Sequence, residues 1–299
     1  MARDHRSQRG IIVAHYGIAV AVRFDDGSQR PVDVRRNSGH VVGDQVEIGD
    51  RGLISLPARG VLSRRDKYGR IHSIASNLDV LGVVLAVRPQ SPLGFLDRAI
   101  VSARAADIDP ILIVNKADLA ESKQLYDQIA SNYASSGRAF LVGAHRGEGL
   151  DALREYFAAG YRGVFIGSSG VGKSSLLNAI CPAVDLQVGE LNAASGLGRH
   201  VTTTATLHEL PAGGELVDTP GFRDFGPVEV SPRDLAQHFP GFEAALETAC
   251  RFNDCSHRSE PGSSVRDAVE GGTISESRHD AYVQLLAELE SAEQDARGY

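Results

Sequence analysis

The stretch VFIGSSGVGKSSLLNAI, residues 164–180, decides how the middle of this 299-residue chain folds. A short β-branched run leads in, and the helix-compatible run KSSLLNAI leads out. Between them, Gly167-x4-Gly172-Lys173-Ser174 has the full spacing of a phosphate loop, in the strand–loop–helix context that such a loop needs. Glycines let backbone wrap closely around phosphates, and amides at a helix N-terminus point toward the bound anion. Gly167, Ser168, Ser169, Gly170, Val171, Gly172, Lys173, Ser174 and Ser175 are therefore candidate nucleotide-binding residues. Lys173 is expected to reach the β- and γ-phosphates, and the Ser174 hydroxyl to ligate magnesium.

Two further motifs complete a nucleotide site. Asp218-Thr219-Pro220-Gly221 follows the short apolar run ELV. An aspartate at that strand end would hold magnesium through water, and the Gly221 amide would sense the γ-phosphate. Upstream, Asn115-Lys116-Ala117-Asp118 directly follows ILIV, which places it at the C-terminal end of a strand, where open α/β sheets bind ligands. The Asp118 carboxylate can accept from guanine N1–H and the 2-amino group. Adenine offers neither donor and would leave the carboxylate unpaired, which disfavours an ATPase. Asn115 is expected to tie loops together, and the Lys116 stem to cover the base. Gly143-Ala144-His145 ends the next apolar run, with the Ala144 amide a candidate donor to guanine O6.

The order of these motifs is inverted relative to a Ras-like GTPase, where the phosphate loop precedes NKxD. Joining the termini of a Ras-like sheet and opening the chain elsewhere preserves every strand neighbour and every loop at the C-terminal edge. The chain then reads base loop, base-contact loop, phosphate loop, first switch, second switch, as it does here. This permutation also sets GFRDFG (221–226) directly before the C-terminal segment. Nucleotide state is expected to reach that segment without a long linker.

The remaining sequence divides into three segments. DVLGVVLAV (79–87), PILIVNK (110–116), AFLVGAH (139–145) and YRGVFIG (161–167) read as strands buried on both faces. FLDRAIVSARAA and DLAESKQLYDQIASNYAS between them read as helices, so residues 76–230 form a parallel α/β sheet. Residues 10–75 read as short strands, with DDG (25–27) a hairpin signal and Gly43, Gly49, Gly52 and Gly60 as punctuation. Such spacing suggests a small barrel, with the OB type one candidate. Residues 231–299 read as mainly helical. SPRDLAQHF shows a Ser cap with Pro at the first helical position. Tyr282, Leu285, Leu286 and Leu289 share one helical face, expected to pack on the neighbouring domain.

Composition narrows the class. Apolar residues make up 42% of the chain, enough for a globular core. No stretch approaches the ~18 apolar residues of a membrane span. MARDHRSQRG lacks the apolar stretch of a secretory signal. The only cysteines, Cys181, Cys250 and Cys255, are too few for a disulfide framework. A cytoplasmic protein without membrane association is the expectation. The net charge of -7 argues against nucleic acid until its distribution is read: residues 1–75 alone hold 13 Lys+Arg against 8 Asp+Glu. A polyanion partner for that segment and an ordinary solvated basic face are both open. For Arg64, Arg65, Lys67 and Arg70, phosphate contact and a plain surface loop are likewise both open.

With the motif order, the barrel-like N-terminus containing VVGDQVEI, GLGRHVTTT (196–204) and CRFNDCSH (250–257) on the page, the chain resembles the circularly permuted, ribosome small-subunit-dependent GTPase A family (RsgA, also called YjeQ). The resemblance covers nearly the whole chain. It implies three domains: an OB-like RNA-binding barrel (1–75), a circularly permuted P-loop GTPase (76–230) and a mainly α C-terminal domain with a zinc-finger-like segment (231–299). It implies a magnesium-dependent GTPase that binds GTP and GDP. Such an enzyme would bind the small ribosomal subunit and its rRNA late in maturation, with hydrolysis stimulated by the subunit. A monomer is expected.

The chain departs from the family pattern in two places. In GLGRHVTTT, Val201 stands where a first threonine is usual. Alignment on His200 makes Thr202 the switch threonine that reaches magnesium, with Thr203 the alternative and a further nucleotide contact. The family's metal pattern is C-x4-C-x-H-x5-C. Cys250, Cys255 and His257 match it, but Ser263 holds the last position. Two readings stay open: zinc completed by water, Glu260 or a distant histidine, or a segment held by apolar packing without metal.

Phe222 follows DTPG where Ras-type enzymes place the glutamine that orients water, so slow intrinsic turnover is expected. His200 is the candidate to position water once RNA orders its loop; a solvent-exposed histidine or an RNA contact is the competing reading. Arg199 is either a cationic stabiliser or an RNA-binding arginine. Two other functions remain: a permuted GTPase acting on the large subunit or another RNA, and a guanine-nucleotide switch with little hydrolysis.

Overall fold

The computed structural model describes residues 8–49, 52–66, 69–182, 205–219, 227–228 and 230–297. Four central strands are β8 (Val80–Leu85), β9 (Asp109–Val114), β10 (Ala139–Leu141) and β11 (Arg162–Ile166). They lie parallel in the order β10-β9-β8-β11 and are followed by β13 (Glu215–Asp218), also parallel to β11. The strand that feeds the phosphate loop thus sits mid-sheet, between β8 and β13, although it comes after the three other central strands in sequence. That is the spatial counterpart of the inverted motif order. All six residues of β8 are buried, because helices cover both faces. Leu81, Val83 and Leu85 pack with α1 (Phe95–Ala105) and α2 (Ser122–Asn132). Val80 and Val84 pack with α3 (Leu150–Phe157) and α4 (Lys173–Ile180). The period-two alternation of a strand sorts its side chains between these two cores.

The N-terminal part is β-rich. Strands β1 (Gln8–His15), β2 (Ala19–Phe24) and β3 (Gln29–Asp33) form an antiparallel meander, with the β2–β3 turn at the DDG signal. There Asp26 accepts from the Ser28 amide. β1 also pairs with β4 (Gln45–Gly49), which pairs with β5 (Gly52–Ser55). Sharing β1 between two ladders curves the sheet into the partly open barrel expected of an OB-like unit. A hairpin of β6 (Leu62–Arg65) and β7 (Ile71–Ala75) carries Arg64, Arg65 and Arg70, all exposed.

The barrel and the α/β sheet are hydrogen-bonded to each other, which the segment-by-segment reading did not foresee. β12 (Thr206–Glu209) pairs antiparallel with β13 and, at Ala14↔Thr206, with β1. Ile12, Val20, Val22 and Val46 of the barrel join the same apolar core as β8 and β9.

The C-terminal part contains α5 (Leu235–His238), α6 (Glu243–Leu246), α7 (Ser264–Glu270) and α8 (Glu276–Arg297). SPRDLAQHF forms a shorter helix than its cap signal suggests. Ser231 accepts from the Asp234 amide, but that bond closes a turn ahead of a four-residue helix. The α8 stripe is buried, as expected for Tyr282, Leu285 and Leu286, yet its partners are mainly local. Phe239, Phe242, Val265 and Ile274 supply most of that core, and Val101 and Ala105 of α1 join it from the α/β part. Tyr282 stacks edge-on against Phe239, with ring centroids 5.3 Å apart.

Candidate functional site

Parallel strands deliver their following loops to one edge of the sheet. The loops after β9, β8 and β11 therefore meet, with the end of β13, at the crevice where strand order reverses. Gly172, at φ 100°, starts α4 in a left-handed conformation. A Cβ there would lie 2.3 Å from the Asn115 amide nitrogen, so glycine is required both by backbone and by close approach. Asn115 is buried to 2% exposure. Its Nδ2 donates to Val171 O at 2.9 Å, and its Oδ1 accepts from the Ala144 amide at 3.2 Å. One side chain thus joins the NKAD loop, the phosphate loop and the GAH loop, which are far apart in sequence. Ala144 N–H, the candidate donor to guanine O6, is engaged by Asn115 in this arrangement.

Lys116 also lies in the left-handed region, at φ 63°. Ser122 Oγ donates to its carbonyl at 2.7 Å, and its own ammonium donates to Arg88 O at 2.6 Å. Asp118 is exposed at the rim. In the phosphate loop, Gly167 and Val171 are buried, whereas Ser169, Gly170 and Ser174 are exposed; Ser168 and Ser175 lie between these extremes. Gly143 is fixed by its N–H, which donates to Glu148 O at 2.8 Å. Lys173 Nζ donates to Gly167 O at 2.6 Å and to Ser168 O at 3.1 Å, across the hollow of its own loop. Burial pushes the Asp218 carboxyl above its usual range, and the nearby Lys173 ammonium pulls it partly back. A part-buried carboxylate that gains from nearby positive charge fits a hydrated divalent cation.

The second cluster lies in the C-terminal part. The ligand atoms of Cys250, Cys255 and His257 all fall within 4.8 Å of one another, a set able to hold a metal ion. Ser263, fully buried, places Oγ 3.2 Å from His257 Nδ1. The other suggested fourth ligands are engaged elsewhere. The Glu260 carboxylate accepts from the amides of Ser256, Arg258 and Ser259. His279 Nε2 bonds the His257 carbonyl at 2.7 Å.

His200, Thr202, Thr203 and Gly221 lie outside the described residues, as do Lys67, Arg199 and Phe222. Sequence reasoning missed Ser122 and Arg88, which lock the Lys116 turn, and Ser264, whose amide and hydroxyl contact Cys250 Sγ at 3.3 Å. Only the position of Ser264 beside Ser263 hinted at the last. It also missed Arg23, which bonds Glu209 and Glu215 on the β12–β13 hairpin, and Arg162, which bonds Glu215 from β11.

Comparison with known proteins agrees with this arrangement. The family model described as RsgA GTPase matches residues 55–227. A Pseudomonas aeruginosa (strain LESB58) protein named small ribosomal subunit biogenesis GTPase RsgA is 39% identical over 292 residues, covering 94% of this chain and 86% of that protein. A Haemophilus influenzae (strain PittGG) protein of the same name is 37% identical over 297 residues, covering 95% of this chain and 85% of that protein. The crystal structure of YjeQ from Thermotoga maritima superposes with TM-score 0.72 at 29% identity, covering 95% of this chain and 99% of that one. That of YloQ, described as a circularly permuted GTPase, superposes with TM-score 0.68 at 25% identity, covering 97% and 98%. A phosphate loop inserted mid-sheet after the base-reading loop, and a match this even along the chain, place this protein in the RsgA GTPase family.

Proposed function

We propose that this chain binds GTP with magnesium, hydrolyses it to GDP and phosphate, and does so in the assembly of the small ribosomal subunit. The observation that carries the nucleotide reading is Asn115, whose amide holds the NKAD loop against Val171 and Gly172. That bond makes base and phosphates neighbours despite the permuted order. The names of the curated relatives support the subunit reading.

In this reading Asp118 accepts from guanine N1–H and the 2-amino group. Lys173 exchanges the Gly167 and Ser168 carbonyls for β- and γ-phosphate oxygens. The amides of residues 170–175 surround the phosphates, with Ser168 and Ser169 lining the loop. Ser174, Asp218 and Thr202 hold magnesium, which neutralises charge developing on the phosphates. Gly221 and Thr203 contact the γ-phosphate side, and His200 positions water. Gly143 and Ala144 border the base. Zinc is the metal proposed for Cys250, Cys255 and His257. Residues 1–75, 76–230 and 231–299 act as RNA-facing barrel, GTPase and helical unit of a cytoplasmic monomer. Among the described residues no helix is long and apolar enough to cross a membrane.

The test is GTP turnover by the purified protein alone, with small subunits and with large subunits. Stimulation by small subunits alone is expected. Equal stimulation by large subunits would redirect the partner. Tight GTP binding without turnover in any condition would overturn hydrolysis in favour of a switch. Loss of the stimulated rate in His200→Ala, with GTP affinity unchanged, is expected if His200 positions water.

A further inference from the structure

The loop between Cys250 and Ser263 is tightly organised by its own polar groups. Glu260 gathers three amides, Tyr282 Oη donates to Ser256 O at 2.9 Å, and His279 bonds His257 O. His257 itself sits at φ 58°, which turns its ring toward the two thiols. Its Nδ1 lies 3.6 Å from Cys250 Sγ and 3.7 Å from Cys255 Sγ. A tetrahedral zinc with Zn–S of about 2.3 Å and Zn–N of about 2.0 Å separates sulfur from nitrogen by about 3.5 Å. Both sulfur–nitrogen distances are therefore close to those of such a site.

Ser263 stands beside the same nitrogen. Its Oγ is 3.2 Å from Nδ1, close to the roughly 3.3 Å expected between nitrogen and oxygen ligands on one zinc. The same oxygen accepts from the Arg266 amide at 3.4 Å as the N-cap of α7. A neutral hydroxyl that also serves as a helix cap is a weaker zinc donor than a thiolate. With two thiolates rather than three, the zinc site carries no net charge.

Resting on the zinc reading above, we propose that Ser263 Oγ is the fourth zinc ligand of this chain and makes its zinc readily exchangeable. Ser264 supports the site by donating its amide to Cys250 Sγ, which stabilises the thiolate.

The test uses the full-length protein loaded with zinc and desalted, as wild type, Ser263→Cys, Ser263→Ala and Cys255→Ser. Zinc per chain is measured by mass spectrometry, and its transfer to a chromogenic chelator is timed. Wild type is expected to hold about one zinc per chain, Ser263→Cys to release it at least about tenfold more slowly, and Ser263→Ala several-fold faster. Cys255→Ser is expected to hold none. Zinc-edge X-ray absorption is expected to count two sulfurs in wild type and a third in Ser263→Cys. It reads the ligand set directly, and Ser263→Ala against wild type serves if the cysteine variant misfolds. Equal release from wild type, Ser263→Cys and Ser263→Ala would overturn the role of Ser263 while leaving zinc binding intact. Failure of wild type to take up zinc at saturation, while circular dichroism shows it folded, would overturn the zinc reading itself.

Discussion

Asn115 spans three loops with one amide, donating to Val171 O and accepting from Ala144 N in a buried setting. Asn115→Ala leaves both backbone groups without that partner. A loss of about 1–3 kcal/mol of stability is expected in chemical denaturation, together with weakened GTP binding. Asp118 works differently: it is exposed, and in the proposed reading it contacts the base rather than the fold. Asp118→Asn turns an acceptor toward the guanine 2-amino group into a donor. GTP affinity should drop by about 10- to 100-fold, while xanthosine triphosphate, with a 2-oxo group, should bind better than GTP. Unchanged base preference in a calorimetric titration would remove Asp118 from the base site. Gly172→Ala should perturb the phosphate loop more than its size suggests, since the added methyl meets the Asn115 amide.

At the scale of elements, the β12–β13 hairpin is the shared part. At its open end Asp218 lies opposite Thr206, the residue that pairs with Ala14 of β1. Arg23 from β2 and Arg162 from β11 converge on Glu215 of this hairpin. Burial alone would lift the Glu215 carboxyl, but its bonds to Arg23 and Arg162 outweigh burial and hold it below the usual range. A carboxyl depressed in the folded state contributes stability that is present above its unfolded value, about 4.3, and is lost as pH falls through its lower folded value. Glu215→Gln should therefore cost about 1–2 kcal/mol at pH 7 and flatten the acid side of the stability profile, read from urea midpoints between pH 7 and pH 3. An acid slope identical to wild type would show that the network contributes nothing. Because the hairpin ends in Asp218, the proposed magnesium aspartate, GTP turnover should fall in the same variant.

Over the whole molecule, charge and connectivity point to where partners meet the nucleotide. The chain is acidic, but its first 75 residues are basic, and the β6–β7 hairpin exposes Arg64 and Arg70. Arg64→Glu with Arg70→Glu should weaken small-subunit binding and lower its salt dependence, leaving GTP affinity of the free protein unchanged. Sedimentation at two salt concentrations reads both quantities. Arg65 is a poorer choice, since it donates to Val228 O, just past the DTPG region. The helical segment is fastened to α1 by Asp97–Arg278, Arg98–Glu288 and Arg104–Glu243. Hydrogen exchange of residues 231–299 should differ between the GDP and GTP-analogue states. Equal protection would count against coupling of that segment to the nucleotide.

Local chemistry made much of this protein legible in its sequence. Glycine spacing, an aspartate at a strand end and apolar runs with period two or 3.6 are short-range properties, and a permutation leaves each of them intact. They specified the sheet, the motif order and the missing fourth cysteine, and with it the family. Tertiary structure decided what depends on residues distant in sequence. The β1–β12 pairing, the Arg23–Glu215 junction and the Lys116 turn locked by Ser122 and Arg88 leave no periodic trace. Nor does Ser263 reveal, as a lone serine, that its hydroxyl lies against the histidine of a Cys–Cys–His cluster while capping a helix. Such contacts arise where folding closes long loops, so their geometry exists only once the chain has packed.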